Sequence, residues 1–514
     1  MSVKFRYILG VVGIFVVVSG WWVFHFPFTP ELVWRVIPAD ATAASRHIAP
    51  ALRINELCEV SAITNIVSMI GAEDLLDDYG TRKLIDIIGD KYVVSAYVPS
   101  MGGYGQPGVV FGAWVGGYSQ LLRWGLLDRL LSDFSVHPLA GNRRVWVLEC
   151  PEIYEGCFLS LAVHEGVLAG CFSAEEFGVL HITSRLMGQK SVAAIAAEWC
   201  DSETGHADEF RAKIELPKKV GKGEVDLFGS LSDLSEKGLK AEIEFSPDSD
   251  ALAVWKQYFP IEDIKIKNGG MDLLGDSIGL LCAIPISSIA PFLELSKVDE
   301  HNVWHKLEKI FRKDAQASLF ACGDKYYGHI MRMKVPSLGF VIPLADGVGG
   351  SDAVRRLVDE LNATWGLGLI TTADSNDNRI KIINSVRGGG YKKLRPNERL
   401  AIAVCDGWMI GLSNVDVLRR ILGDSTGVSN AGKSLVESHA IVYGWSDLAE
   451  TGELLKTAIY GYTLVSLLQK NRGAVRHDTG DLMMAVRALG ALGQCSVWLR
   501  SDIDKPKLFG EITF

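Results

Sequence analysis

LSLAVHEGVLAGCFSAEEF (Leu159–Phe177) and LAIAVCDGWMIGLSNVDV (Leu400–Val417) decide the fold, because the second repeats the first in pattern. Each has an apolar run, an acid-Gly pair, a second apolar run containing Gly, and a Ser that opens a helix-like segment. Glycine accepts the positive φ of a tight turn, so His-Glu-Gly (His164–Gly166) and Cys-Asp-Gly (Cys405–Gly407) read as hairpins. Further matches follow in the same order. VGGYSQLLRWGLLDRLL (Val115–Leu131) answers VGGSDAVRRLVDEL (Val348–Leu361), and GLKAEIEF (Gly238–Phe245) answers KLFGEITF (Lys507–Phe514). Ordered matches of this kind imply two copies of one unit of roughly 240 residues.

The 514 residues suit two large domains, and 48% hydrophobic against 22% charged residues gives each copy material for a core. The net charge of −9, without a basic stripe, excludes a nucleic-acid partner. Alternating runs predict strands at Ile37–Ile48, Tyr92–Val98, Val109–Trp114, Arg144–Glu149 and Phe158–Val163. The second copy offers Leu273–Ile284, Ser318–Ala321, Gly328–Val335, Phe340–Pro343 and Ile380–Ile383. Amphipathic helices are expected around Leu75–Ile88 and Val298–Phe311. The predicted class is α+β: an N-terminal transmembrane helix, then two homologous copies of a mainly antiparallel sheet with helices packed on one side. The expected divisions are residues 1–30, 31–260 and 261–514, with the boundary near Pro260–Gly270.

Ile8–Phe26 (ILGVVGIFVVVSGWWVFHF) carries no acid, lysine or arginine. As a helix it would extend roughly 28 Å, the thickness of a bilayer core, with Trp21 and Trp22 at its outer end. No small-residue cleavage site follows closely, so a retained signal anchor is expected, with Lys4 and Arg6 inside and the bulk of the chain outside. Nine cysteines occur without a C-x-x-C pair. Cys150 and Cys157 flank PEIYEG and are close enough in sequence to pair across it.

Four patterns invite chemistry. Gly427–Ser434 (GVSNAGKS) satisfies the phosphate-loop pattern, with Gly427 and Gly432 framing the loop, Lys433 for the terminal phosphates and Ser434 for Mg²⁺. A helix-like segment, Val415–Thr426, precedes it where such a loop needs a buried strand. Gly275–Gly279 (GDSIG) offers Ser277 as a nucleophile, but the following residues read as a strand, whereas a nucleophile elbow leads into a helix. His301 and His305 are spaced to share one helix face, as zinc ligands do, yet no third ligand stands near. The glycine clusters Gly102–Gly108, Gly347–Gly350 and Gly388–Gly390 lack the strand-turn-helix setting of a dinucleotide fingerprint. No cofactor or metal is therefore expected.

Pro38–Thr42 (PADAT), with LAGCFSAEE (Leu168–Glu176) and MIGLSNVD (Met409–Asp416), resembles an uncharacterised bacterial family of single-anchor membrane proteins. Its duplicated extracytoplasmic α+β region opens at a Pro-Ala-Asp-Ala/Thr motif. The resemblance implies the bacterial inner membrane, a single pass and a largely extracytoplasmic chain, and it brings no catalytic residues. The functional expectation is a non-enzymatic binding or scaffolding component of the cell envelope whose partner is an envelope protein or a lipid. The alternative is an enzyme, working on nucleotides through Gly427–Ser434 or as a serine hydrolase through Ser277.

Overall fold

A computed structural model of the chain describes residues 25–60, 79–101, 106–131, 133–139, 143–150, 156–182, 208–218, 220–235, 238–258, 278–289, 309–327, 334–386, 399–423, 440–453, 492–502 and 505–513, with Gly20 and a few isolated positions. The first ten strands are β1 (Ala43–Ile48), β2 (Tyr92–Met101), β3 (Gln106–Trp114), β4 (Ser135–Leu139), β5 (Arg143–Glu149), β6 (Phe158–His164), β7 (Val167–Ser173), β8 (Asp208–Glu215), β9 (Glu224–Ser235) and β10 (Gly238–Pro247). The next ten are β11 (Ile278–Pro285), β12 (Gln316–Tyr327), β13 (Lys334–Pro343), β14 (Leu369–Ala373), β15 (Ile380–Ser385), β16 (Ala401–Cys405), β17 (Trp408–Leu412), β18 (Val442–Asp447), β19 (Gln494–Asp502) and β20 (Lys505–Thr513).

By internal contact the chain divides into two units. The first holds residues 1–59, 71–214 and 226–234, and the second holds 60–70, 215–225 and 235–514. The expected boundary at 260/261 lies outside the described residues. In the first unit, antiparallel pairing gives the order β8-β1-β2-β3-β7-β6-β5-β4. In the second unit, β18-β11-β12-β13-β17-β16-β15-β14 repeats that order strand for strand. Beyond β18 the second unit continues through β19 and β20 to β10. The acid-Gly turns take the positive φ that a two-residue hairpin needs: Glu165 44° and Gly166 83°, Asp406 48° and Gly407 80°.

The class differs from the expected α+β layering. Strand accounts for 46% and helix for 29%, so antiparallel sheet dominates. The helices also pack on both sides of each sheet, because both faces carry apolar residues. In the first unit, Val33 and Trp34 of the helix Pro30–Trp34 join one core with Val94, Val110 and Val145. Ile87 and Leu122, from the helices Tyr79–Gly89 and Tyr118–Arg123, join a second core with Trp146 and Leu168. In the second unit, Leu418 and Ile421 of the helix Val415–Gly423 enter one core, and Val354 and Val358 of Gly350–Trp365 enter the other.

The expected single-pass anchor, and the inner-membrane location drawn from it, are also corrected. Among the described residues no helix is long and apolar enough to cross a membrane. Apart from Gly20, His25 and Phe26, the run Ile8–Phe26 lies outside the described residues. Where the chain is described again, its apolar side chains serve the first unit's own core. Phe26 packs against that core, and the Phe28 ring meets Tyr92 and Trp114 edge-on at 5.7 and 5.5 Å. Two strand expectations change as well. β1 begins at Ala43 and not Ile37, because Pro38–Ala41 forms a turn with Ala41 N–H donating to the Pro38 carbonyl at 3.2 Å. The residues around Pro336 belong to one continuous strand, β13. No disulfide joins Cys150 to Cys157; the Cys150 amide donates to the Cys157 carbonyl at 2.8 Å.

Candidate functional site

A polar row crosses the first unit on one face of its sheet. Alternation along β1 sends Ala44 and Arg46 into the core and leaves Ser45 and His47 half-buried on the other face. Register sets Ser45 opposite Ser95 of β2 and Phe210 of β8, and His47 opposite Asp208 of β8. The side chains then form a chain of contacts. Ser95 Oγ lies 2.7 Å from Ser45 Oγ, Ser45 Oγ 2.9 Å from His47 Nε2, and His47 Nδ1 2.7 Å from Asp208 Oδ1. Arg53, on the helix Pro50–Glu59, donates to the same Asp208 oxygen at 2.5 Å. Ala49, at φ 48°, turns the chain from β1 into that helix, and this turn brings Arg53 back over the end of the strand.

Proton positions follow from what each group can donate. Burial acts most strongly on the Asp208 carboxyl and pushes its pKa up. Hydrogen bonds from His47 and Arg53, with the Arg53 charge, outweigh burial and hold it below the ordinary carboxylate value. Asp208 is therefore an acceptor only, so His47 Nδ1 carries the hydrogen between them. In the neutral imidazole Nε2 is then the acceptor, Ser45 donates to it, and Ser95 donates to Ser45. On the core side of the same two strands, Arg46 Nη2 donates to Glu209 Oε2 at 2.5 Å with both side chains buried. Removing Arg46 would leave the buried Glu209 carboxylate without this charge partner, so the pair locks β1 against β8 beneath the row.

The second unit lacks these groups. A phenylalanine over a glycine fixes the comparison: Phe111 of β3 pairs with Gly170 of β7, and Phe340 of β13 pairs with Gly411 of β17. Counting outward from each, Phe111–Ser95–Ser45–Phe210 corresponds to Phe340–Leu319–Cys282–Gly444. Two residues along, Ile284 and Val442 stand where His47 and Asp208 stand. The polar row belongs to the first copy alone.

Apolar exposure on this face is common to both. Helices cover the part of the face over β3, β7 and β6, and over β13, β17 and β16. Among the described residues no helix covers the remainder. In the first unit it presents Tyr97, Val109, Phe210 and Ile214, and in the second Leu280, Leu319, Leu338 and Val497. Leu319 is 57% and Leu338 61% exposed, far above what an ordinary packed strand position shows.

None of the sites expected from sequence falls in this row. Ser277, His301, His305 and the loop Gly427–Ser434, including Gly432 and Lys433, all lie outside the described residues. Among the described residues no group of three His, Cys, Asp or Glu side chains converges to hold a metal ion. A cleft of about 380 Å³ opens beside Gly116, Gly117 and Trp114, but the helix that starts there has only six residues and supplies no anion site. The row itself was half legible. Ser45-Arg-His47 shows an i,i+2 pair that a strand places on one face, whereas Asp208 lies 161 residues beyond His47 and is joined to it only by register. Comparison with protein-family models, curated proteins and solved structures gives no match.

Proposed function

We propose that the protein binds an apolar, chain-like ligand, such as the acyl chain of a lipid, on the open sheet face of each unit. The observation that carries this reading is the recurrence of large exposed hydrophobic side chains on the same face of equivalent strands in both units. Apolar patches that stay exposed in this way mark binding surfaces. The chemistry of a sheet face narrows the ligand. Backbone groups of interior strands are already paired, so the face has no free ladder for a peptide strand and offers side-chain hydrocarbon alone.

A naturally fluorescent fatty acid titrated into the whole protein tests the reading. Burial of one leucine side chain against a ligand contributes about 1.5 kcal/mol, roughly tenfold in Kd. The double variant Leu319→Lys, Leu338→Lys should therefore bind at least tenfold more weakly in the second unit, and Tyr97→Lys should do the same in the first. Absence of saturable binding to the wild type, or variants that bind as the wild type does, would rule the reading out.

A further inference from the structure

We propose that Ser45, His47 and Asp208 form an acyl-transfer centre that hydrolyses carboxylic esters. Three relations carry it. Ser45 Oγ lies 2.9 Å from His47 Nε2, which accepts its hydrogen in the neutral imidazole, His47 Nδ1 lies 2.7 Å from the Asp208 carboxylate, and that carboxylate is buried while the serine and imidazole are half-buried on the face. These are the three roles of nucleophile, base and orienting acid, recognised by geometry whatever their order in the chain. The centre also sits among Tyr97, Phe210 and Ser95, hydrocarbon to hold an acyl group and a hydroxyl to meet charge. The substrate class, an ester of an apolar acid, rests on the acyl-binding reading above; the reactivity of Ser45 does not.

The reaction balances with water as the only co-reactant. Ser45 Oγ bonds to the ester carbonyl carbon while its proton passes to His47 Nε2. The carbonyl oxygen takes the negative charge, and the Ser95 hydroxyl, 2.7 Å from Ser45 Oγ, turns its hydrogen from Ser45 toward that oxygen as Ser45 bonds to carbon. As the carbonyl re-forms, the bond to the alcohol oxygen breaks and His47 returns the proton to the leaving alkoxide. Water then attacks the acyl-serine, giving a proton to His47. Ser45 departs as that proton comes back, and the free acid is released. Asp208 touches no reacting atom. It is a positioning residue that keeps the hydrogen on Nδ1 and stabilises the imidazolium formed in each half.

Two measurements on the whole protein test this. A small fluorophosphonate, which needs no acyl site, should leave one adduct on the peptide containing Ser45, and His47→Gln should abolish it. With p-nitrophenyl esters, Ser45→Ala should lower kcat/KM at least 100-fold, and Asp208→Asn should lower kcat with KM unchanged, the split that a merely structural role would not give. If the adduct lies elsewhere or is absent and hydrolysis survives in Ser45→Ala, the centre is overturned, whatever the fatty-acid titration shows. If Ser45 is labelled but octanoate and acetate esters react alike, the centre stands and the acyl-binding reading falls. A Ser45 hydroxyl that neither labels nor turns over any ester, in a protein that still binds fatty acid, is a cross-strand ladder only.

Discussion

At the scale of the residue, Gly170 and Gly411 show a requirement for closeness and not for backbone freedom. A Cβ on Gly170 would stand 2.1 Å from Phe111 Cζ, and one on Gly411 would stand 2.3 Å from Phe340 Cε1. In both copies the ring lies flat over the opposite glycine, so the pair acts as one side chain shared by two strands. Gly170→Ala and Gly411→Ala should each cost about 1–3 kcal/mol, since the ring must leave its rotamer. Gly510→Ala, whose Cβ would meet no atom within 4 Å, should stay within about 0.5 kcal/mol of the wild type. Thermal unfolding of the three variants checks the contrast, and equal losses would end it. The sequence shows these glycines in its repeated phrase, but the phenylalanines that require them stand 59 and 71 residues away, and only the register names them.

At the scale of the element, local chemistry was legible and lateral chemistry was not. Glu165-Gly166 and Asp406-Gly407 specify their hairpins from two neighbouring residues, because φ is set locally. The helix Val415–Gly423 was legible from its apolar spacing, but its cap is Asn414 and not the serine read as its opening: the Asn414 side-chain oxygen accepts from the Asp416 amide at 2.9 Å. What fixes that helix in place was not. Arg419 donates to both oxygens of the buried Asp374 just after β14, at 2.7 and 2.6 Å, and the pairing keeps the Asp374 carboxyl below its ordinary pKa. Arg419→Ala should destabilise the protein by about 2 kcal/mol, seen as a lower denaturation midpoint, because a buried carboxylate loses a two-point donor. Arg419→Lys should recover only part of it, having a point charge where a planar fork is needed. Full recovery by lysine would show that charge alone matters. β1 illustrates the opposite error: apolar residues from Ile37 onward look like a strand, but Pro38 lacks a ladder donor and Asp40 favours the turn, so pairing starts only at Ala43.

At the scale of the whole molecule, the chain's last strand is structural cement for the second unit. β20 lies between β19 and β10, with Lys507 Nζ 2.7 Å from Glu242 and Lys505 Nζ 3.0 Å from Glu244. Deleting residues 505–514 would strip hydrogen-bond partners from two strands at once and open two edges to other chains. Size-exclusion chromatography should show concentration-dependent association of the truncated protein, together with a lower Tm; a monomer of unchanged Tm would contradict it. The pairing also repeats a correspondence already present in the sequence. Aligning Gly238–Phe245 with Lys507–Phe514 matches Ala241 to Gly510, and Ala241 is paired with Gly510 in the sheet. Two strands of like sequence that meet about such a point form a self-complementary pair, each offering the other the same row of backbone groups. Both strands lie in the second unit, so the pairing is intramolecular and persists at any dilution. Carrying two copies in one chain also lifts a restriction that binds every homodimer, in which a substitution must appear in both subunits. Ser45 and His47 in one copy, with Cys282 and Ile284 in the other, are differences that a duplication within one chain can hold.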